Sequence, residues 1–492
     1  MMLVELLSGY AEVPKDIEIS GVSLDSRKIK SGDAFIALSG TLQHGVAFAD
    51  QAVKNGAVAI IYEPVGKLKK IVAELENIVC VAVVNLSQNI GAIAARFFGY
   101  PAQQLAVIGI TGTNGKTTCS QILGQLLPDC GIIGTLGWGG AGHLNATENT
   151  TPDAISIQQI LQSFVKQRKT SVAMEVSSHG LEQGRVNGLA FSGAVFTNIS
   201  RDHLDYHGSM NAYIEAKLKL LDTPGVSFVV VNMDDQYVDK IISVVPTTVK
   251  KWGFTRHGNS VEGLEIVSAN NIKYTLQGIK CDLNWQDDQT CLTTSLVGEF
   301  NLENCLAVLS VLIAMGNSLS EATAMMFKAK PISGRMERVS NSENTFQVFV
   351  DYAHTPDALE RVLKSLRLHC QNKIVLVFGC GGDRDQGKRS QMGHIATQWA
   401  DTVVLTDDNP RYENAEHIID DILAGCQHQK VTVIKDREAA ICEAIQAASN
   451  QDLVLIAGKG HEDYQEQEGK RRHFSDRDVA VDALKARGTS SC

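Results

Sequence analysis

The sequence has no CxxC pair and no zinc-type spacing among its 11 cysteines, which excludes zinc ribbons and thioredoxin-type redox motifs. No apolar run approaches the ~20 residues of a membrane-spanning helix. There is no repeat at solenoid spacing and no low-complexity segment. Positive charge is not in excess: 45 basic against 55 acidic side chains leave a formal net charge of −10. That argues against attraction to nucleic acid or to an anionic membrane, though it leaves local anion sites open. The segment Met1-Met2-Leu3-Val4-Glu5-Leu6-Leu7 lacks the basic start and small-residue cleavage site of a secretory signal. The expectation is a cytoplasmic, monomeric protein with reduced thiols, no nucleic-acid partner and no membrane insertion.

What is present is an α/β pattern. The 492 residues are 44 % hydrophobic, enough for about three domains with cores of their own. Short apolar runs at Ala34–Leu38 and Ala57–Tyr62 flank an amphipathic stretch at Phe48–Asn55. They predict a small α/β domain over residues 1–98, closed by the turn signal Gly99-Tyr100-Pro101. Continuous apolar runs at Leu105–Ile110, Ser171–Val176, Gly193–Thr197 and Ser227–Val231 read as buried parallel strands separated by helices. They predict a doubly wound central sheet over 99–330. Runs at Gln347–Val350, Ile374–Phe378, Thr402–Leu405, Thr432–Ile434 and Leu453–Ala457 predict a second, Rossmann-like domain over 331–492.

The segment Gly112-Thr113-Asn114-Gly115-Lys116-Thr117-Thr118 lies between a buried-strand run and a helical pattern at Thr117–Leu127. Strand, glycine-rich loop and helix in that order make a phosphate cradle: backbone N–H groups approach the phosphate oxygens, and the helix start adds partial positive charge. Lys116 can reach the terminal phosphates, and the Thr117 hydroxyl is placed for Mg²⁺. The strict motif has glycine where Ile110 stands, so this is a variant loop. Downstream, Glu175 ends one strand run and suits Mg²⁺ as an oxygen ligand. His203, in Asn198-Ile199-Ser200-Arg201-Asp202-His203, reads either as completing a metal site or as a structural histidine. Lys217, by residue type, reads as a solvated helix lysine.

The loop, Glu175–Gly180 and Arg201–Gly208, in that order, resemble the Mur ligases, whose central domain is shared with folylpolyglutamate synthetases. So do Ser333-Gly334-Arg335-Met336-Glu337, Asp351–Asp357, Gly379–Asp385, Asp408-Asn409-Pro410-Arg411 and Gly458-Lys459-Gly460-His461-Glu462-Asp463-Tyr464. With Leu24-Asp25-Ser26-Arg27 they look like the diaminopimelate-adding members. The resemblance implies an ATP- and Mg²⁺-dependent ligase for peptidoglycan precursors. It would join meso-2,6-diaminopimelate to the D-glutamate side-chain carboxylate of UDP-MurNAc-L-Ala-D-Glu through an acyl phosphate.

The resemblance also assigns residues. Leu24, Ser26 and His44 would hold the uridine nucleotide, and Asn149, Thr150, Thr151, Ser177, Gln183 and Arg185 the muramoyl-peptide. Lys217 would be carbamylated, reversing the reading from its type, and would join Thr117, Glu175 and His203 around the metal. Asn301, Asn304, Arg335 and Asp351 would serve ATP with the loop. The amino-acid pocket would comprise Arg384, Asp408, Asn409, Pro410, Arg411, Gly458 and Glu462. Within it Arg411 would select the second carboxylate that lysine lacks, because a guanidinium can grip a carboxylate with two parallel bonds. His354 is a polar candidate without an assigned role. The competing readings are the same chemistry with lysine in place of diaminopimelate or with glutamate added to a folate, and a nucleotide-controlled switch without ligation.

Overall fold

A computed structural model describes residues 1–40, 43–64, 78–340 and 345–489. The chain forms two compact units: Met1–Phe254 with Ser260–Ile266, and Thr255–Asn259 with Val267–Cys492.

The first unit opens with helix α1 (Leu3–Leu7) and a parallel sheet of β1 (Gly21–Ser23), β2 (Asp33–Ala37), β3 (Ala59–Tyr62) and β4 (Val79–Ala82), in sequence order. Helix α2 (Ala49–Lys54) follows a short 3₁₀ turn, and α3 (Leu86–Phe97) follows β4. The spacing of Leu86, Ile90, Ile93 and Ala94 puts all four on one face of α3, which is buried with Leu3, Ile36 and Ile61.

The central elements follow. They are β5 (Ala106–Thr111), α4 (Lys116–Leu126), β6 (Cys130–Gly134), β7 (Gly137–Gly140), β8 (His143–Asn145), α5 (Ala154–Lys166), β9 (Ser171–Glu175) and α6 (Ser178–Glu182). Then come β10 (Gly193–Phe196), α7 (Leu204–His207), α8 (Met210–Leu218), β11 (Phe228–Asn232), α9 (Val238–Val244) and β12 (Lys250–Thr255). The strand order is β12-β11-β10-β5-β9-β6-β7-β8. It is parallel from β12 to β6, and β7 and β8 are antiparallel. Strands β9, β10 and β11 are buried along their whole length, as parallel strands covered on both faces must be. The chain leaves β5 toward β9 and β6 on one side and β10 on the other. The C-terminal ends of these strands are therefore the switch point at which open α/β sheets take ligands.

An antiparallel meander follows, β13 (Glu265–Thr275), of which all but the first two residues belong to the second unit, β14 (Gly278–Trp285) and β15 (Asp288–Thr294), then α10 (Glu299–Ala314) and α11 (Leu319–Met326). The six-stranded sheet of the second unit holds β16 (Glu337–Arg338), β17 (Gln347–Asp351), β18 (Ile374–Phe378), β19 (Thr402–Leu405), β20 (Val431–Val433) and β21 (Leu453–Ala457). The order is β16-β17-β21-β18-β19-β20, parallel except for β16.

Alternation along these strands sorts the helices onto two faces. Phe349, Ile374, Leu376 and Phe378 face α12 (Pro356–His369), α13 (Gly387–Trp399) and α14 (Ala415–Leu423). Val348, Val350, Val375 and Val377 face α15 (Arg437–Ala447) and α16 (Asp476–Thr489). A hairpin of β22 (Tyr464–Gln467) and β23 (Lys470–His473) precedes α16. The α/β class and the two doubly wound sheets are as the sequence led one to expect. No helix among the described residues is long and apolar enough to cross a membrane.

Candidate active site

The phosphate loop runs from the end of β5 to the start of α4. Gly112 has φ +144°, and a Cβ there would collide with the Thr197 hydroxyl, so only glycine serves at this position. The loop is pinned from the end of β10. Thr113 N donates to Asn198 O at 2.7 Å and Asn114 N to Asn198 Oδ1 at 3.0 Å. Thr197 Oγ1 donates to Asn114 O at 2.6 Å. Lys116 folds back, its Nζ 2.8 Å from the carbonyls of both Gly112 and Thr113. Helix α4 thus begins at the loop, and its first-turn N–H groups have no carbonyl within the helix to bond, which is what an anion site requires.

Glu175 ends β9 fully buried, and hydroxyls surround it. Thr117 Oγ1 donates to Oε2 at 2.9 Å, Thr135 Oγ1 to Oε2 at 3.0 Å, and Thr135 N to Oε1 at 2.9 Å. A Cβ at Gly134 would collide with this carboxylate, so the end of β6 is cut back to admit it. Thr135 and Asn198, which hold the site, were not singled out in the sequence, because their partners lie 40 and 84 residues away.

Lys217 is 1 % exposed, and its Nζ donates to Gly112 O at 2.8 Å above the Tyr213 ring. A solvated lysine, the reading from residue type alone, is overturned: α8 packs this face against the loop. Burial, with Lys116 nearby, pushes the Lys217 amine well below the usual lysine range. His203 has φ +52°, with Nε2 3.5 Å from Asp202 Oδ2 and its ring 4.7 Å from that of His179. His207 and Tyr206 complete an imidazole and phenol cluster around His179. Burial and the neighbouring imidazoles lower His179. The structure therefore joins Thr117 to Glu175 and Lys217 to the loop, whereas His203 turns to Asp202 and His179. Among the described residues no group of three or more His, Cys, Asp or Glu side chains is assembled as a metal site.

The peptide-side residues adjoin this carboxylate. Thr150 Oγ1 lies 3.1 Å from Thr135 Oγ1, and Thr151 Oγ1 donates to Glu175 O at 3.0 Å. Ser177 N donates to Thr151 Oγ1 at 2.9 Å. Arg185 bonds Thr151 O at 2.7 Å and grips Gln183 Oε1 with two nitrogens. Asn149 is exposed beside them. Beside the small sheet, Ser26 Oγ donates to Gln51 Oε1 at 2.8 Å. His44 accepts from Val46 N at 3.1 Å and faces Glu63 O at 3.1 Å, and Leu24 is half-buried.

The second unit holds the remaining assigned residues. Asp351, at the end of β17, accepts from Met336 N at 2.7 Å and Ala353 N at 2.9 Å. Burial raises its carboxyl, against the opposing charge of Arg335. Arg335 lies over the Tyr352 ring at 4.6 Å. His461 also flanks that ring, and burial holds it at about 4, hence neutral at pH 7. Burial lowers His354 as well, and its Nδ1 lies 2.8 Å from Tyr352 O. Asn301 and Asn304 are buried in the first turns of α10, where Asn301 Nδ2 donates to Val297 O at 2.8 Å and Asn304 Nδ2 to Asn301 Oδ1 at 3.2 Å.

The Asp408–Arg411 turn leaves the end of β19. Asp408 and Asn409 are buried, and Asp408 lies under Gly458, whose added Cβ would stand 2.8 Å from Asp408 Oδ2. Asn409 Nδ2 donates to Glu462 Oε2 at 3.0 Å. Arg411 takes φ +54° and donates Nη1 to Gly382 O at 2.8 Å. Arg384 is exposed, and a Cβ on Gly381 would stand 2.9 Å from Arg411 Nη1 and 3.9 Å from Arg384 Cγ. The Pro410 carbonyl accepts Glu413 N at 3.1 Å.

Glu413 anchors this region. Arg389, fully buried, meets both its oxygens at 2.7 Å, and that bonding holds the Glu413 carboxyl at about 2. The carboxylate is lower in the folded chain than the ordinary 4.5. Its stabilisation is therefore complete above pH ~4.5 and is lost as pH falls toward ~2. Glu413→Gln is expected to cost about 1–3 kcal/mol in urea unfolding at pH 7. That gap should narrow steadily between pH 4.5 and 2.5; a gap independent of pH would refute the pairing as its source.

Three family models match the chain in order: "Mur ligase family, catalytic domain" over residues 18–98, "Mur ligase middle domain" over 110–312 and "Mur ligase, glutamate ligase domain" over 334–460. A UDP-N-acetylmuramoyl-L-alanyl-D-glutamate–2,6-diaminopimelate ligase of Xylella fastidiosa (strain Temecula1) is 44 % identical over 491 residues, 99 % of this chain and 98 % of its own. The ligase of the same name from Coxiella burnetii is 43 % identical over 474 residues, 95 % of this chain and 96 % of its own. A solved structure bearing that name matches with a TM-score of 0.70 at 37 % identity, over 96 % of this chain and 95 % of the other. A MurF ligase from Thermotoga maritima in complex with ADP has a TM-score of 0.64 at 18 % identity, over 97 % and 100 %. At that identity the likeness speaks for the fold alone.

Proposed function

The chain belongs to the Mur ligase family, and on that premise we infer that it is the ATP-dependent ligase that adds 2,6-diaminopimelate to UDP-N-acetylmuramoyl-L-alanyl-D-glutamate in peptidoglycan precursor synthesis. One observation carries the chemistry: a phosphate cradle and a buried, hydroxyl-bonded carboxylate meet at the ends of β5 and β9. The full-length likeness to ligases of that name supports the substrates.

A carboxylate is a poor acyl donor because its leaving group would be oxide. In the reaction inferred here, a D-glutamate carboxylate oxygen attacks the γ-phosphorus of ATP and ADP departs. The diaminopimelate amine then adds to the acyl carbon, phosphate leaves, and the amine proton is lost. The protein contributes position and charge. Lys116 would turn from its two carbonyls to the transferring phosphoryl group. The peptide would lie along Asn149–Thr151, Ser177, Gln183 and Arg185, with the uridine nucleotide at Leu24, Ser26 and His44. In the second unit, Asn301, Asn304, Arg335 and Asp351 are the proposed ATP contacts, and Arg384, Asp408–Arg411, Gly458 and Glu462 the amino-acid pocket. Residues 1–98 would thus hold the uridine nucleotide, 99–330 would carry the ATP-binding loop and the peptide contacts, and 331–492 would bind the amino acid and add Arg335 and Asp351 to the ATP contacts.

The oxygen donors Thr117 and Glu175 suit Mg²⁺, and Lys217 would join them only once an amine had become a carbamate. His203, whose ring stands against Asp202 and His179, is the remaining proposed ligand. When bound, Mg²⁺ supplies neutralisation of the phosphoryl oxygens. A cytoplasmic location accords with a reaction on ATP and a nucleotide-linked precursor.

Phosphate release measured with ATP, the UDP-linked dipeptide and either diaminopimelate or lysine tests the reading. Release should depend on diaminopimelate, and mass spectrometry should find the UDP-linked tripeptide. Release indifferent to the amino acid would overturn it, as would equal use of lysine.

A further inference from the structure

Lys459 is a buried cation with two polar partners. It is 0 % exposed, and it lies between two residues of the proposed amino-acid pocket. Its Nζ is 3.2 Å from Asn409 Oδ1 and 3.2 Å from Glu462 Oε2, and lies over the Tyr464 ring at 5.4 Å. The same carboxamide donates from Nδ2 to Glu462 Oε2 at 3.0 Å, and its Oδ1 accepts Glu466 N at 2.9 Å. An amide has one oxygen and one NH₂ end. Lys459 and Glu466 require the oxygen on their side, so the NH₂ must point to Glu462.

Lys459 and Asn409 converge on one oxygen of Glu462, Oε2. The carboxylate is thereby held by that oxygen, and its side chain is 23 % exposed. A buried lysine is costly unless paired, and no step of the inferred ligation uses this one. We propose that Lys459 is a positioning residue for amino-acid recognition. By fixing the Asn409 carboxamide and one oxygen of Glu462, it presents the second oxygen to an ammonium group of the incoming zwitterion. It also keeps the Asp408–Arg411 turn in register with segment 458–466. Gln465 ties the same two segments, donating Nε2 to Asp408 O at 2.8 Å, so Lys459 is not their sole link.

This proposal rests on the ligase reading, and wild-type protein separates the two. Without diaminopimelate-dependent phosphate release in the wild type, the ligase reading fails first. With it, Lys459→Met is compared by full kinetics and thermal melting, and Lys459→Gln serves alongside because it retains one donor without the charge. The expected result is a rise of at least tenfold in KM for diaminopimelate in Lys459→Met and a smaller rise in Lys459→Gln. The KM for ATP and for the nucleotide-peptide should stay within twofold, and kcat within threefold. If KM for diaminopimelate is unmoved in either folded variant, the proposal is overturned. It is equally overturned if all constants and the melting temperature fall together, or if neither variant folds, since Lys459 would then act on the fold alone.

Discussion

Arg411→Ala should lose diaminopimelate and keep ATP. Diaminopimelate differs from lysine by a carboxylate at the far end, and a pocket that prefers the diacid needs a fixed cation for it. Arg411 has that fixity. Its backbone is held by N–H donation to Glu466 O at 3.0 Å and by Glu468 N donating to its own carbonyl at 2.6 Å. Only Nη1 is bonded to protein among the described residues, at Gly382 O, so the rest of the planar fork can face a carboxylate. Losing a charge-assisted bidentate pair costs about 2–4 kcal/mol, roughly a 30- to 1,000-fold fall in kcat/KM for diaminopimelate. Lysine lacks the second carboxylate and should be affected far less, so the preference between the two should collapse. Steady-state kinetics with each amino acid, beside the KM for ATP, decides the matter. Diaminopimelate kinetics unchanged in the variant would remove Arg411 from the pocket.

The features most legible in the sequence were those whose information is local. The phosphate loop is one continuous segment between a strand and a helix, and Glu175 was marked by its place at a strand end. Most of the buried strands were found to within one or two residues: Ile374–Phe378 and Leu453–Ala457 match, and Leu105–Ile110 is shifted by one to Ala106–Thr111, but the parallel strands β6, buried throughout, and β12 were missed. The antiparallel pieces were passed over. The β7–β8 hairpin is too short and glycine-rich to show an apolar alternation. Strands β14 and β15 are half exposed, so their apolar residues are sparse.

Charged residues were the hardest to place, because composition sends them to the surface. Arg389, Lys459, and the Arg437–Asp476 pair with both side chains at 0 % exposure are interior charges that only tertiary packing reveals. Lys217 did carry a signal of its own: in Tyr213-Ile214-Glu215-Ala216-Lys217-Leu218 apolar residues lie on either side of it, and all but Glu215 are buried. His203 was left between two readings, a metal ligand and a structural histidine. Its residue type suits a metal, yet its left-handed backbone at the entry to α7 turns the ring toward Asp202 and His179.

Lys217→Met should lower kcat by about three orders of magnitude, a size proper to the loss of a charge-placing group at phosphoryl transfer. The amine and Lys116 share the Gly112 carbonyl as acceptor, each at 2.8 Å. Burial, and after it the repulsion between two ammonium groups so placed, favours a neutral Lys217. A neutral amine is the form that adds to carbon dioxide: nitrogen bonds carbon, a proton leaves, and the product is an anionic carbamate. In place of a second cation beside Lys116 there would then be its counter-charge, with two oxygens of the kind a hard cation accepts. Methionine fills similar volume with neither charge nor nucleophile, so the fold should survive. Two measurements separate this from a packing role. In ¹³C-labelled bicarbonate, NMR should show a carbamate resonance in the wild type that is absent from the variant. The variant should still bind ADP, with Kd raised less than about tenfold, because the Gly112–Thr118 cradle is backbone. A resonance that persists in Lys217→Met, or turnover that survives the substitution, would return Lys217 to the role of a buried amine holding Gly112 in place.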